Sequence, residues 1–236
     1  MSKQKLYLKG YVNGLVFMLI FLGTATMLSA QKLKYHEQRG DESSYYHYEF
    51  REVDQGYHIK IARLMNNDTT DKQLLTTGKD FETLSWRYIR FGEETDVTAR
   101  KTSEGVSIKG VLDGDELEEE ETLNEDEPWI QLFPMNPGFE KFIFSNDDKI
   151  VFWAIGTESP ADMEINSFSA KKKETEYSDE FGCKVLRVNF SPTGWRSIFW
   201  EGDFYFRPED GRIVGYRGDG APGKPAAKTT LIKEEK

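Results

Sequence analysis

The segment Phe199–Pro225, FWEGDFYFRPEDGRIVGYRGDGAPGKP, decides the fold of this chain. Read as an extended strand from residue 195, it alternates between an apolar face and a face of mixed polarity. The apolar face carries Ile198, Trp200, Gly202, Phe204 and Phe206. Pro208 and Gly211 then mark a tight turn, after which IVGYR returns as a second strand. A glycine in the middle of the first strand, Gly202, permits a bend or the close approach of a neighbouring ring. The segment therefore predicts a β-hairpin and needs no catalytic chemistry to explain it.

The stretch YYHYEF and the stretch YHIKIARL show the same period of two, on either side of the turn signal VDQG. A hairpin with a two-residue loop at Asp54-Gln55 fixes one register for them. That register predicts four cross-strand pairs: Tyr48 with Ile61, Glu49 with Lys60, Phe50 with Ile59, and Arg51 with His58. The parity of the apolar residues and the signs of the charges both agree with it.

Turn signals recur along the rest of the chain, at Glu104-Gly105 and at Asp113-Gly114 for example, and no long stripe of helical period appears. Pro137 favours a short helix that begins near Asn136, and the alternative for this segment is an irregular crossover. The run KIVFWAIG is apolar on both faces, as expected of a central strand. We therefore predict a mainly β fold: an antiparallel meander of about ten strands, forming a curved sheet or half-open barrel, with one or two short helices.

The first thirty residues have the three parts of a secretory signal peptide. Lys3, Lys5 and Lys9 precede the apolar run Gly14–Gly23, and small and polar residues follow as far as Ala30. The alternative is an uncleaved anchor. The predicted organisation is a signal peptide over 1–30, a flexible lead-in over 31–44, an antiparallel β domain over 45–217 and an extended tail over 218–236.

Composition and charge limit the partners. The chain has 236 residues and a formal net charge of -10 at pH 7. An acidic protein lacks the basic face that nucleic acid or an anionic membrane surface requires. The one cysteine, Cys183, excludes an internal disulfide and is best explained as a small buried hydrophobic residue. We expect an exported monomer in the periplasm or cell envelope of a Gram-negative bacterium, without a lipid anchor and without nucleic acid as a partner.

The C-terminal forty or so residues resemble the closing signature of a group of uncharacterised exported bacterial proteins. That signature is an aromatic strand, an Asp-Gly turn, an Arg-Tyr strand and then Gly-x-x-Gly-x-Pro-Gly. The matching residues are Trp200, Tyr205, Phe206, Asp210, Gly211, Tyr216, Gly218, Gly220, Pro222 and Gly223. A looser match covers Ile150 to Phe190. The resemblance implies a half-open β-barrel related in shape to periplasmic lipoprotein carriers, and it implies no catalytic residues.

Motifs for chemistry are weak. His36, His47 and His58 lie close in sequence but lack the spacing of metal ligands. The acidic run DGDELEEEE departs from the calcium-loop pattern and is typical of a charged edge strand, although weak binding of calcium or of a partner is the alternative. No nucleophile motif and no phosphate loop is present. We predict no catalytic residues, no metal site and no cofactor, hence no enzyme.

The aromatic residues indicate a different kind of site. WIQLFPMNPGF is too apolar for an ordinary loop, and a curved sheet covered by this segment would enclose an apolar pocket. The predicted lining residues are Trp129, Phe133, Phe139, Phe142, Phe199 and Tyr205. The ligand would be a lipid or another apolar molecule such as an acyl chain, and the alternative is a solidly packed interior. The second hypothesis is a structural or interaction protein that uses its acidic surface on an envelope partner, and an enzyme of unknown type is the third.

Overall fold

The computed structural model describes residues 30–124, 126–131, 137–156, 163–194, 200–218 and 225–235. The signal peptide predicted for 1–30 lies outside the described residues, apart from residue 30. Nearly all of the described chain is β-strand. The strands are β1 Gln31–Arg39, β2 Glu42–Val53, β3 Gly56–Met65, β4 Asp68–Gly78, β5 Thr83–Arg90, β6 Thr95–Lys101, β7 Gly105–Leu112, β8 Asp115–Thr122, β9 Lys149–Ile155, β10 Ile165–Ser178, β11 Cys183–Pro192, β12 Gly202–Arg207, β13 Arg212–Gly218 and β14 Ala227–Glu235. A 3₁₀-helix, Pro137–Phe139, leads into the short helix α1, Glu140–Phe144.

All fourteen strands belong to one antiparallel sheet. Its order is β8-β7-β6-β5-β4-β3-β2-β1-β14-β13-β12-β11-β10-β9, so each strand pairs with its neighbour in sequence except where β1 meets β14. The mainly β fold predicted from the sequence is confirmed. A sheet of this length curls under its accumulated twist, which turns the apolar face inward.

The hairpins were predictable in detail. In the β2–β3 pair, Tyr48 lies opposite Ile61, Glu49 opposite Lys60, Phe50 opposite Ile59 and Arg51 opposite His58, as the sequence predicted. Leu112 pairs with Asp115 across the predicted turn, where Asp113 and Gly114 both have positive φ. The predicted short helix is also present and includes Pro137. These features depend on contacts between near neighbours in sequence, which is why the sequence contained enough information.

Two predictions at the ends of the domain were wrong. The flexible lead-in assigned to 31–44 forms β1 and the start of β2, and the extended tail assigned to 218–236 contains β14. The strand count is therefore fourteen rather than about ten. β1 buries Leu33 and Tyr35, whereas its exposed positions are polar, so its average composition resembles a loop. Its pairing with β14 joins the two ends of the described chain, and a local pattern cannot reveal such a contact.

Strand β9 was predicted to be central but lies at the end of the sheet. Its outer edge is covered by the segment 128–131, which runs parallel to it. Ile130 N donates to Trp153 O at 2.9 Å, and Trp153 N donates to Pro128 O at 2.9 Å. Because this segment occupies the edge, β9 is buried like an inner strand and shows the same apolar composition.

The inner face of the sheet carries the hydrophobic core, and the segment Phe199–Pro225 contributes to it as predicted. Phe204 and Phe206 of β12 are buried on this face. A Cβ added to Gly202 would stand 2.6 Å from Cε2 of Tyr216, so the glycine admits the ring of the neighbouring strand. This confirms that the glycines and aromatic residues of Phe199–Pro225 serve sheet packing at the positions that the structure describes.

A buried glutamine joins two distant strands of the curled sheet. Gln131 N donates to Thr83 Oγ1 at the start of β5, at 3.0 Å, and Thr83 N donates to Trp129 O at 2.8 Å. The side chain of Gln131 bonds both backbone groups of Ile155 at the end of β9: Nε2 donates to the carbonyl at 2.8 Å, and Oε1 accepts from the amide at 3.0 Å. Oε1 also accepts from Trp129 Nε1 at 3.2 Å. We call this set the Gln131 clamp.

The substitution Gln131→Leu tests the clamp. It would leave the amide and the carbonyl of Ile155 and the indole N–H of Trp129 without this partner in a buried site. Each orphaned group costs about 1–3 kcal/mol, so we expect a loss of about 3 kcal/mol in the free energy of unfolding, measured by urea denaturation. The control Gln38→Leu removes an amide that bonds Gly40 at the exposed surface, and it should cost under about 1 kcal/mol. Equal losses in the two variants would contradict the role of the clamp.

Candidate functional site

The inner face is divided into two regions, and the first is aromatic. Phe139, which enters from the short helical segment, packs edge-to-face on Phe152 and Phe190, with ring centroids 5.0 and 4.8 Å apart. Phe190 in turn lies 4.2 Å from Phe204. We call this group, together with Phe206, the aromatic cluster. Its members come from β9, β11 and β12, so it forms only once these strands are paired.

The six predicted pocket residues do not all meet in one place. Phe139 belongs to the aromatic cluster, and Trp129 and Phe142 are also buried. Tyr205 lies on the other face of β12, where its ring contacts that of Phe181 at 5.1 Å. Phe133 and Phe199 lie outside the described residues. The mixed polarity of the outer face of β12 had suggested a lining role for Tyr205, whereas this ring covers the outside of the sheet.

The second region is polar. One side chain from each of five neighbouring strands lies on the inner face: Glu37, Tyr46, Arg63, Asp71 and Arg90. We call these residues the charged row. Tyr46 lies opposite Arg63, Arg63 opposite Asp71, and Asp71 opposite Arg90 in the register of the sheet. Glu37 and Asp71 are buried, which is unusual for carboxylates and requires compensating contacts.

Glu37 receives most of these contacts. Its Oε1 accepts from Tyr46 Oη at 3.4 Å and from Arg63 Nη2 at 3.4 Å, and Arg39 Nε lies 3.9 Å away. Thr229 Oγ1 donates to Oε2 at 3.5 Å from β14. All four distances are longer than the 2.7–2.9 Å or so of a strong charge-assisted hydrogen bond. The guanidinium of Arg63 is therefore near its carboxylate partner without being tightly bound to it.

Asp71 has no comparable partner among the described side chains. Thr70 Oγ1 lies 3.2 Å from its Oδ2, and no ion pair within 4 Å involves its carboxylate. Burial raises the pKa of Asp71, although the nearby charge of Arg63 and the hydrogen bond of Thr70 oppose this shift. Burial likewise raises the pKa of Tyr46 well above its usual value, and the carboxylate of Glu37 adds to the effect.

Gln73 lies one inner-face position beyond Asp71 on β4 and is fully buried. Trp86 Nε1, which can only donate, gives a hydrogen bond to Gln73 Oε1 at 2.9 Å and so fixes the orientation of the amide. The amide nitrogen, Nε2, has no hydrogen-bond partner in the part of the chain that the structure describes. A buried donor of this kind calls for an acceptor that the described residues do not supply.

Sequence reasoning missed the charged row, although a signal was present. On β3 the alternate positions Ile59 and Ile61 face inward, and the next such position is Arg63. On β4 the alternate positions Leu75 and Gln73 face inward, and the preceding such position is Asp71. The polar run NNDTTD, residues 66–71, suggests a loop by composition, and this hides the parity of Asp71. The structure shows that Asn66 and Asn67 alone make this turn, both with positive φ, and that β4 begins at Asp68.

The other chemical features lie apart from the inner face. His47 and His58 are exposed, and His36 contacts Ser43. Within the described ranges, no group of three or more histidine, cysteine or acidic side chains is arranged to hold a metal ion. Desolvation raises the pKa of Cys183, which disfavours the reactive thiolate. The helical segments described here include none with the length and apolarity needed to cross a membrane.

Comparisons with known proteins give a fold and no activity. No protein-family model matches the chain, and no curated protein matches its sequence. Its structure is similar to a crystal structure described as a beta-barrel-like protein of a domain of unknown function, DUF1849, from Brucella abortus. The TM-score is 0.59 at 12% sequence identity, and the match covers 88% of this chain and 98% of the other. At this identity the likeness concerns the fold alone, and it agrees with the β-barrel-like shape predicted above.

The raised pKa of Asp71 predicts a pH dependence of stability. Because the carboxyl keeps its proton to higher pH in the folded state than in the unfolded state, its contribution is most favourable below about pH 4 and is lost as the pH rises through the folded pKa. Asp71→Asn mimics the neutral carboxyl. We therefore expect Asp71→Asn to gain stability relative to the wild type as the pH increases from 4 to 7.5, measured by urea denaturation.

The control for this prediction is Asp96→Asn. A hydrogen bond from Arg87 lowers the pKa of Asp96, so its carboxylate contributes stability above about pH 4 that is lost in acid. Because that effect is largely complete at pH 4, the stability difference between this variant and the wild type should change little from pH 4 to 7.5, in contrast to that of Asp71→Asn. A parallel response of the two variants would show that the environment of Asp71 is not as described.

Proposed function

We propose that this chain is a non-catalytic binding protein that holds an apolar ligand, such as an acyl chain, against the inner face of its curved sheet. One observation carries the proposal. The segment 137–144 inserts Phe139 into an inner face that is otherwise lined by the sheet's own rings. This apolar side chain occupies the position that one end of an acyl chain would take. The short helix has no side-chain hydrogen bond at its N-cap, and the burial of Phe139, Phe142 and Ile143 holds the segment against the sheet.

The location of this function is part of the proposal. The pattern of residues 1–30 supports export, and a single cysteine at position 183 suits an envelope compartment that does not require an internal disulfide. The barrel-like fold shared with the domain of unknown function supports a binding role, since curved sheets of this type commonly enclose ligands. The enzyme hypothesis gains little support, because the described contact between a nucleophile and a base, Ser43 Oγ with His36 Nε2 at 2.8 Å, lies at the exposed surface.

Binding of a dodecyl chain tests the proposal. We expect the wild type to bind dodecanol with a micromolar Kd, measured by competition with a fluorescent acyl probe and by native mass spectrometry after lipid extraction. Ala170 is buried beside Phe190 and Ile150, so Ala170→Leu would fill inner space and weaken binding by about tenfold. Ala62→Leu makes the same enlargement on the outer face of β3 and should leave the Kd unchanged. Absence of binding to the folded wild type would refute the proposal.

A second function is favoured by strand β8. It ends the sheet, pairs only with β7 among the described strands, and exposes Glu118 to Glu121 together. Lys109 neutralises only one of these groups, at 2.5 Å from Glu118. The alternative proposal is therefore an envelope interaction protein that presents β8 to a partner.

Neutralisation of this strand tests the alternative. A variant with glutamine at 118–121 should lose recovery of the partner from an envelope extract when the protein is used as bait, because exposed carboxylates give most of the electrostatic attraction. The matched control replaces the exposed Glu174 and Glu176 of β10 by glutamine. Unchanged recovery with the β8 variant would argue against this function.

A further inference from the structure

We propose that the charged row binds the anionic head group of the acyl ligand, with Arg63 and the amide of Gln73 as its donors. The inference rests on the proposed function and adds the class of ligand: an amphiphile that ends in a carboxylate or a phosphate. The register places Gln73 opposite Ile61 and Asp71 opposite Arg63, so Arg63 and Gln73 are diagonal neighbours on one face. Diagonal neighbours lie about 7–8 Å apart at Cα, close enough for both side chains to reach one anion.

The donors here are incompletely used. The hydrogen bonds of the Arg63 side chain are long, 3.4 Å to Glu37 and 3.4 Å to Ser44, and its guanidinium lies 5.6 Å from the centroid of the Tyr46 ring. Gln73 Nε2 is buried and has no acceptor among the described residues. A carboxylate or phosphate has the several acceptor sites that such a set of donors requires.

The charge of the row also favours an anion. Glu37 is shared by Arg39 and Arg63, and Arg90 is paired with the exposed Glu93 at 2.7 Å. Burial raises the pKa of Asp71, so the negative charge of its carboxylate offsets the positive charge of Arg63 less than that of an ordinary carboxylate would. A bound anionic head group would raise the pKa of Asp71 further. Burial and anion binding therefore both favour the neutral form of Asp71.

The gradient of polarity along the inner face matches an amphiphile. The side chain of Arg63 is 25% exposed and that of Arg39 is 16% exposed, so the row reaches solvent. The next inner-face residues, Tyr48 and Ile61, are almost completely buried, and they are followed by Phe50 and Ile59. The ionised head group of an amphiphile would stay at the end where the charged row reaches solvent, while its acyl chain extends over the apolar residues. Such an arrangement avoids the cost of burying a charge without partners.

The experiment compares dodecanoate, dodecanol and inorganic phosphate on the same full-length protein. We expect dodecanoate to bind about 10- to 100-fold more tightly than dodecanol, and Arg63→Met to remove this preference. Arg63→Lys should restore part of it. Gln73→Glu keeps the acceptor for Trp86 but replaces the free donor by a charge, so it should also weaken dodecanoate without affecting dodecanol. The control Arg87→Met, which removes an arginine from the outer face, should change nothing.

Each outcome decides between the proposals. If neither dodecyl compound binds, the proposed function fails and this inference fails with it. If both bind equally to the wild type and to Arg63→Met, the proposed function stands and the head-group site is refuted. If phosphate binds in an Arg63-dependent way but dodecanoate does not, the row is a site for a free anion and the amphiphile is refuted. Circular dichroism confirms that each variant is folded.

Discussion

The Gln131 clamp is the contact on which the shape of the sheet depends. A run of antiparallel hairpins specifies only which strands are neighbours, and a twisted sheet of this length could remain open. Gln131 holds the start of β5 against the end of β9, two strands that lie far apart in the order of the sheet. The amide side chain of Gln131 bonds both the N–H and the C=O of Ile155, as a neighbouring strand would do at that edge of the sheet. Strands β6, β7 and β8 continue beyond the point of contact, which leaves the acidic β8 at the end of the sheet.

Because the Gln131 clamp joins β5 to β9, the sheet encloses an inner face with two chemically different regions. In the aromatic cluster the rings satisfy one another, and Phe139 completes the packing from outside the sheet. In the charged row the hydrogen bonds of Glu37 are long, and beside the row the Nε2 of Gln73 lacks a partner among the described residues. A purely structural interior would gain stability from apolar residues in these positions. The proposed role as the binding site for an amphiphile accounts for the presence of both regions on one inner face.

Sequence reasoning succeeded where the deciding contacts are local. The register of β2 and β3, the Asp113-Gly114 turn and the short helix at Pro137 each depend on a few consecutive residues. It failed for β1, β9 and β14, whose neighbours are set by pairings between distant segments. The candidate site shows the same limit. Buried Trp129, Phe139 and Phe142 were identified from their apolar context. Tyr205, also named as a lining residue, lies on the mixed face of β12 away from them, and the charged row was not recognised.

The amino-acid sequence by itself determined the class of the fold, the hairpin registers and the division of each strand into an inner and an outer face. The alternation of apolar and polar residues and the turn residues encode these features directly, because successive side chains of a strand point to opposite faces of the sheet. Only the tertiary structure decided that β1 joins β14, that Gln131 ties β5 to β9, and that Arg63 and Gln73 share one wall. These are contacts between residues that are distant in sequence or lie on different strands. Their partners are selected by the curvature and packing of the whole sheet, and no single segment contains that information.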